Sequence, residues 1–230
     1  MMRLYYDLTV RDANRLLAAF ILFELGLILI FVANKVFDNP LETFRVWFDL
    51  AGEGTIPAWF SSVQLCLIGL VFVLGSRLID PSDSPSPLFF RMVGAGFIFL
   101  SADEAASIHE GMTLMLRGFE WIPRFKGGRG IWVFIYLPIG FILFLATSRK
   151  LLALWRRYRR PTCIMAIGVA IYLLAAVGLE VIGFQFLRSG TTPLLYKAEL
   201  VLEEFLEMAG ASIILYGAML WVLEEVGSVP

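Results

Sequence analysis

The sequence predicts an all-α fold, a polytopic transmembrane bundle of about six helices forming one domain over residues 1–230. Three observations predict it. The chain is 59% hydrophobic and only 17% charged, where soluble domains carry about 25% charged residues. Its mean hydropathy is +0.77. Its apolar residues gather in runs close to the ~20 residues a helix needs to cross a bilayer. A net charge of −1 by itself suggests no nucleic-acid partner. Membrane lipids are the partner such a chain requires.

The first dozen residues, MMRLYYDLTVRD, are too polar for a cleavable signal peptide. Within them Thr9 and Asp12 have the spacing of a capping box that opens the first helix, residues 13–37. The stretch NPLETFRVWFDLAGEGTIP is amphipathic and aromatic, and predicts a short interfacial helix followed by a turn. The second segment is 57–79, and DPSDSPSP ends it as a linker no helix can cross. The third segment, 89–117, leads into RGFEWIPRFKGGRG, an interface loop with Trp121 and several cations. The remaining segments are 131–148, 161–187 and 194–223.

Between the fourth and fifth segments, SRKLLALWRRYRR holds Arg149, Lys150, Arg156, Arg157, Arg159 and Arg160 and no acid. As a loop it is a positive-inside anchor, which places it and both termini on the cytoplasmic face. An acidic-lipid site is the alternative reading of the same cations. Cys66 and Cys163 lie far apart in apolar sequence and fit buried, inert thiols.

Acids interrupt this apolar frame. FIFLSADEAASIHEGM holds Asp103, Glu104, the single histidine His109, and Glu110. YKAELVLEEFLEMAG holds Glu199, Glu203, Glu204 and Glu207, and the fifth and first segments add Glu180 and Glu24. An ionised side chain at bilayer depth costs at least about 2.5–3.5 kcal/mol, so such residues mark function. At 100° per residue Asp103, Ser107 and Glu110 share about 60° of arc, and Glu199, Glu203 and Glu207 share one face of the sixth segment. Tyr172, Ala176, Glu180 and Gly183 form a stripe on the fifth, and Ser61, Ser62, Gln64 and Glu24 stand at similar depth. Glu104 and His109 fall about 140° apart on an unbroken helix, so they face different neighbours.

So many carboxylates cannot all be ionised in a low-dielectric core, and a bound divalent cation would neutralise several at once. The expected metal ligands are Asp103, Glu110, Glu180, Glu199, Glu203 and Glu207, with His109 as a further ligand. Carboxylates alone suit Mn, Ca or Mg, and the imidazole admits Fe or Zn. A metal-dependent membrane hydrolase or oxidoreductase acting on a lipid-soluble substrate is the natural enzyme reading. A proton or cation conductor is the first alternative, with Glu24 as the one bridge across an apolar gap toward the inner face. An accessory subunit, its acids paired to a membrane-protein partner or a second copy, is the other. Glu224 and Glu225 read as solvated.

FLSADEAASIHE resembles an LSxDExxxxHE block, and VGLEVIG with ELVLEEFLEMAG resemble GxE and ExxxEExxEMxG blocks, of an uncharacterised family of bacterial multi-pass membrane proteins. The resemblance implies that the acids matter, and the expected location is the bacterial inner membrane. It brings no reaction with it. The ceramidase-like membrane hydrolases gather several histidines around zinc, and a chain with one histidine does not resemble them.

Overall fold

The computed structural model of the chain describes residues 8–37, 41–187 and 193–227. Helix α1 (Val10–Val36) opens on the expected capping box: Thr9 Oγ1 accepts from the Asp12 amide, and the Asp12 carboxylate accepts from the Thr9 amide. The amphipathic stretch after it folds as a short helix α2 (Glu42–Trp47) with no buried residue, as an interfacial segment should. Helix α3 (Ile56–Gly75) starts at Thr55, whose hydroxyl caps the Ala58 amide. Helix α4 (Pro87–Ala106) begins on proline, whose missing N–H is no loss in a first turn.

The third segment is not one helix. It breaks at Ser107, which takes the left-handed conformation (φ 50°, ψ 43°), and resumes as α5 (Ile108–Leu116). The basic stretch is not a loop either. Helix α6 (Ile131–Arg157) runs straight through it, and only Tyr158 separates α6 from α7 (Arg159–Leu173). Leu, Ala, Arg and Lys are all good helix formers, so the helix continues through this stretch as far as Arg157. Arg157 then donates to Asp83 (2.6 Å) and Glu225 (3.3 Å), and Tyr158 also donates to Glu225. Glu225 is therefore a structural partner rather than a solvated end. Burial, then the Glu225 carboxylate, pushes the Tyr158 phenol above its ordinary value.

The fifth segment departs from regular α geometry. Past α7 it winds as a π-helix over Leu174–Leu179, a single α turn α8 (Glu180–Ile182), and a second π stretch over Gly183–Leu187. The last helix is α9 (Pro193–Glu225). Among the described residues there is no β-strand, only an isolated bridge between Phe125 and Arg129.

Five helical stretches are long and apolar enough to cross a membrane: α1, α3, α6, Arg159–Leu187 and Leu194–Glu225. Helix α4 matches α3 in length but carries Arg91, Asp103 and Glu104, and is not among them. Side chains on the middle of α6, from Ile139 to Leu145, face outward all round. Such a girdle suits a lipid surrounding, and the chain is a multi-pass membrane protein. Cys66 and Cys163 are unpaired and half-buried.

Helix α9 is the centre: 67% of its apolar stretch is buried, against 17% for α1 and α6. Trp221 stacks on Phe90 with ring centroids 4.3 Å apart and on Phe72 at 5.6 Å. Small residues set the helix spacing. A Cβ at Gly210 would lie 2.8 Å from the Tyr172 amide nitrogen, and one at Gly168 2.8 Å from the Gly210 carbonyl oxygen. Gly69 and Gly94 bring α3 and α4 together in the same way, with corresponding distances of 2.8 and 2.7 Å. Gly210→Val should therefore force α7 and α9 apart and cost at least about 1–3 kcal/mol, read as a lower thermal midpoint in detergent. Gly140→Ala, with nothing within 4 Å of the added carbon, should leave that midpoint unchanged or raise it.

Candidate functional site

The break at Ser107 builds the site. A new helix leaves its first amides without intrahelical acceptors. Asp103, on the last turn of α4, supplies one: its Oδ1 accepts the His109 amide at 2.8 Å. Its Oδ2 lies 3.2 Å from His109 Nδ1, and its Oδ1 also accepts the Tyr136 hydroxyl at 3.1 Å. Trp132 stands edge-to-face on the imidazole with centroids 5.3 Å apart. With the proton on Nδ1 directed at Asp103, the ring keeps its Nε2 lone pair for a metal. Asp103 is thus a buried holder of the histidine.

Because the chain turns at Ser107, the phase expected of one unbroken helix no longer applies. Glu104 and His109 face a common region, where Glu104 interacts electrostatically with Glu53, His109 and Asp103. Ser61 of α3 lies beside Glu104, although its buried hydroxyl makes no hydrogen bond of good geometry.

Among the described residues, ligand atoms of Glu53, His109 and Glu110 all lie within 4.8 Å of one another. His109 and Glu110 were expected from the sequence; Glu53 was not. Glu53 and Glu110 are exposed and His109 is half-buried, so the trio opens to solvent. Asp103, Glu180, Glu199, Glu203 and Glu207 do not belong to this trio.

They stand behind it. Glu180, on the α turn between the two π stretches, interacts electrostatically with His109, Glu204 and Glu207. Glu204 interacts with Glu104, Glu203 and Glu53, and Glu207 with Glu204, Glu104 and Glu203. Glu199 and Glu203 are buried on the same helix. Glu199 packs on Gly183, where a Cβ would come within 2.5 Å of its Oε1. The carboxylates of α4, α8 and α9 and the turn before α3 thus form one field of negative charge.

Three of the polar residues expected at this depth are engaged elsewhere. Ser62 bonds Ser101, fastening α3 to α4. Gln64 and Glu24 bond each other.

A family model described as "Domain of unknown function (DUF8692)" matches residues 16–223. The chain belongs to that family. No curated protein and no solved structure matches it. The family span covers every residue of the trio and of the surrounding carboxylate field.

Ser107 is the one non-glycine residue with positive φ among those described, a conformation costing about 1–3 kcal/mol outside glycine. Ser107→Gly should keep or raise stability, and Ser107→Val should lower it by more than about 1 kcal/mol. Paired thermal unfolding curves check both. If valine were tolerated as well as glycine, the break would not be fixed at this residue.

Proposed function

We propose that the chain is an inner-membrane protein that binds a divalent metal ion at Glu53, His109 and Glu110, near the outer face of the bilayer. The convergence of these three ligand atoms, with the imidazole held from behind by Asp103, carries the reading. A carboxylate–histidine–metal arrangement fixes the ring and raises its basicity. One imidazole and two carboxylates suit Zn, Fe or Mn, and leave coordination positions for water or substrate. The flanking acids neutralise part of the ion's charge and draw cations to the site.

A metal held this way activates water or polarises a bound oxygen. The substrate class that fits is lipid-soluble. At the far end of α5 from His109 lies an apolar cavity of about 470 Å³, lined by Leu116, Phe119, Trp121, Ile122, Pro123, Phe134 and Ile135. Trp121 is 81% exposed at its rim, the amphipathic side chain of an interface residue. A hydrolase or oxidoreductase acting on a lipid would use both features.

Elemental analysis of the purified protein, loaded in turn with Zn, Mn and Fe, tests the metal. Wild type should hold one equivalent, and Glu53→Gln/His109→Ala should hold none. Asp103→Asn should weaken binding by about 10–100-fold while leaving the ligands in place. No metal in wild type under any loading, or equal retention by the double variant, would overturn the reading.

A further inference from the structure

The apolar gap between the outer acids and the opposite end of the bundle is crossed by a polar seam. Glu24 of α1 is fully buried, as is Gln64 of α3, and Ser212 of α9 is nearly so. Gln64 Nε2 donates to Glu24 Oε1 at 2.9 Å and lies 2.7 Å from Ser212 Oγ, which donates to the same Glu24 oxygen at 2.6 Å. The other oxygen, Glu24 Oε2, has no hydrogen-bond partner, and neither has Gln64 Oε1.

Among the described residues of these three helices, no counter-charge stands at this level. Glu24 is the only charged residue of α1 between Arg15 and Lys35, α3 has none, and α9 has none from Met208 to Leu223. The other titratable groups on these stretches are Cys66 and Tyr216. A lone carboxylate with donors on only one oxygen is costly here, and a proton on Oε2 removes the charge.

Both ends of the seam lead somewhere. On one side, a cavity of about 10 Å³, the room of a single water, lies between α1 and α9. Ser212 lines it together with Leu16, Phe20 and Tyr216, and the Tyr216 hydroxyl, donating to Asn14 at 2.8 Å, reaches the exposed end where α1 begins. On the other side, one turn along α3 from Gln64, the unpartnered Ser61 hydroxyl lies beside Glu104. Asn14, Tyr216, Ser212, Glu24, Gln64, Ser61 and Glu104 thus string hydrogen-bonding groups from one end of the bundle to the acids at the other.

We infer that this seam conducts protons across the bundle, with Glu24 as the obligatory carrier. A proton reaching Ser212 Oγ from the cavity releases the hydroxyl's own proton to Glu24 Oε1. Glu24 gives up its other proton from Oε2 toward the Gln64 and Ser61 side. Only O–H bonds are exchanged, so one proton enters and one leaves. The inference needs no metal at Glu53, His109 and Glu110, and goes beyond that reading.

The test is proton flux into liposomes holding the full-length protein and an internal pH-sensitive dye, driven by a potassium–valinomycin potential. Wild type should acidify the lumen faster than protein-free vesicles. Glu24→Gln, which keeps shape and hydrogen bonds but holds no exchangeable acid, should slow the flux by about tenfold or more, a modest share of what a positioned acid–base group contributes. If Glu24→Gln does not fold, Ser212→Ala, which removes the relay hydroxyl and leaves the acid, carries the same expectation. Wild-type flux equal to that of empty vesicles, or wild-type flux in the folded variant, would overturn the inference. Metal content of Glu24→Gln, measured on the same sample, separates this outcome from failure of the metal reading.

Discussion

Carboxyl groups inside an apolar bundle must be neutralised or hydrogen-bonded from within, because lipid offers them nothing. That constraint organises this molecule. Where the acids crowd, the helices give up regularity: α4 stops and restarts at Ser107, and the segment carrying Glu180 winds as π-helix on both sides of it. Each irregularity frees backbone or re-aims a side chain, and π turns are common at functional positions. Where a single acid stands alone, at Glu24, the helices stay regular and polar neighbours come to it instead.

Close packing by small residues makes this possible. Carboxylates can share a field only if their helices approach closely, and Gly168, Gly210, Gly69 and Gly94 set backbone against backbone. Gly183 extends the same device to the site, since the Glu199 carboxylate lies where a side chain would otherwise be. Tertiary packing and polar chemistry therefore rest on the same few residues.

The helical class, the capping box at Thr9, the short helix α2 and the extent of α9 were legible in the sequence because each has a local signal. The acids of α4, α5 and α9 were legible as misplaced charge. The break at Ser107 was not, since serine carries no left-handed preference of the kind glycine or asparagine would announce. Its cause, Asp103 accepting the His109 amide, becomes visible only with the chain already turned. The π stretches shift the phase of Glu180 in a way that 100° per residue cannot foresee. Glu53 was hidden because an acid between two glycines reads as a turn, and its approach to His109 is tertiary. The bond from Glu24 to Gln64 spans 40 residues and that from Gln64 to Ser212 spans 148, beyond any local pattern.

The position of α9 has a consequence for how the molecule comes into being. It is the most buried of the spans, yet the last of them to leave the ribosome. Until it arrives, α1, α3 and α7 have no common surface to pack against, and the Glu24 carboxyl has no serine from α9 to meet it. Helix α1, helix α7 and the α3–α4 pair, already joined at Gly69 and Gly94, must wait in the bilayer or its insertion machinery as separate units. One late helix then closes the assembly, docking glycines and completing the polar interior in the same event.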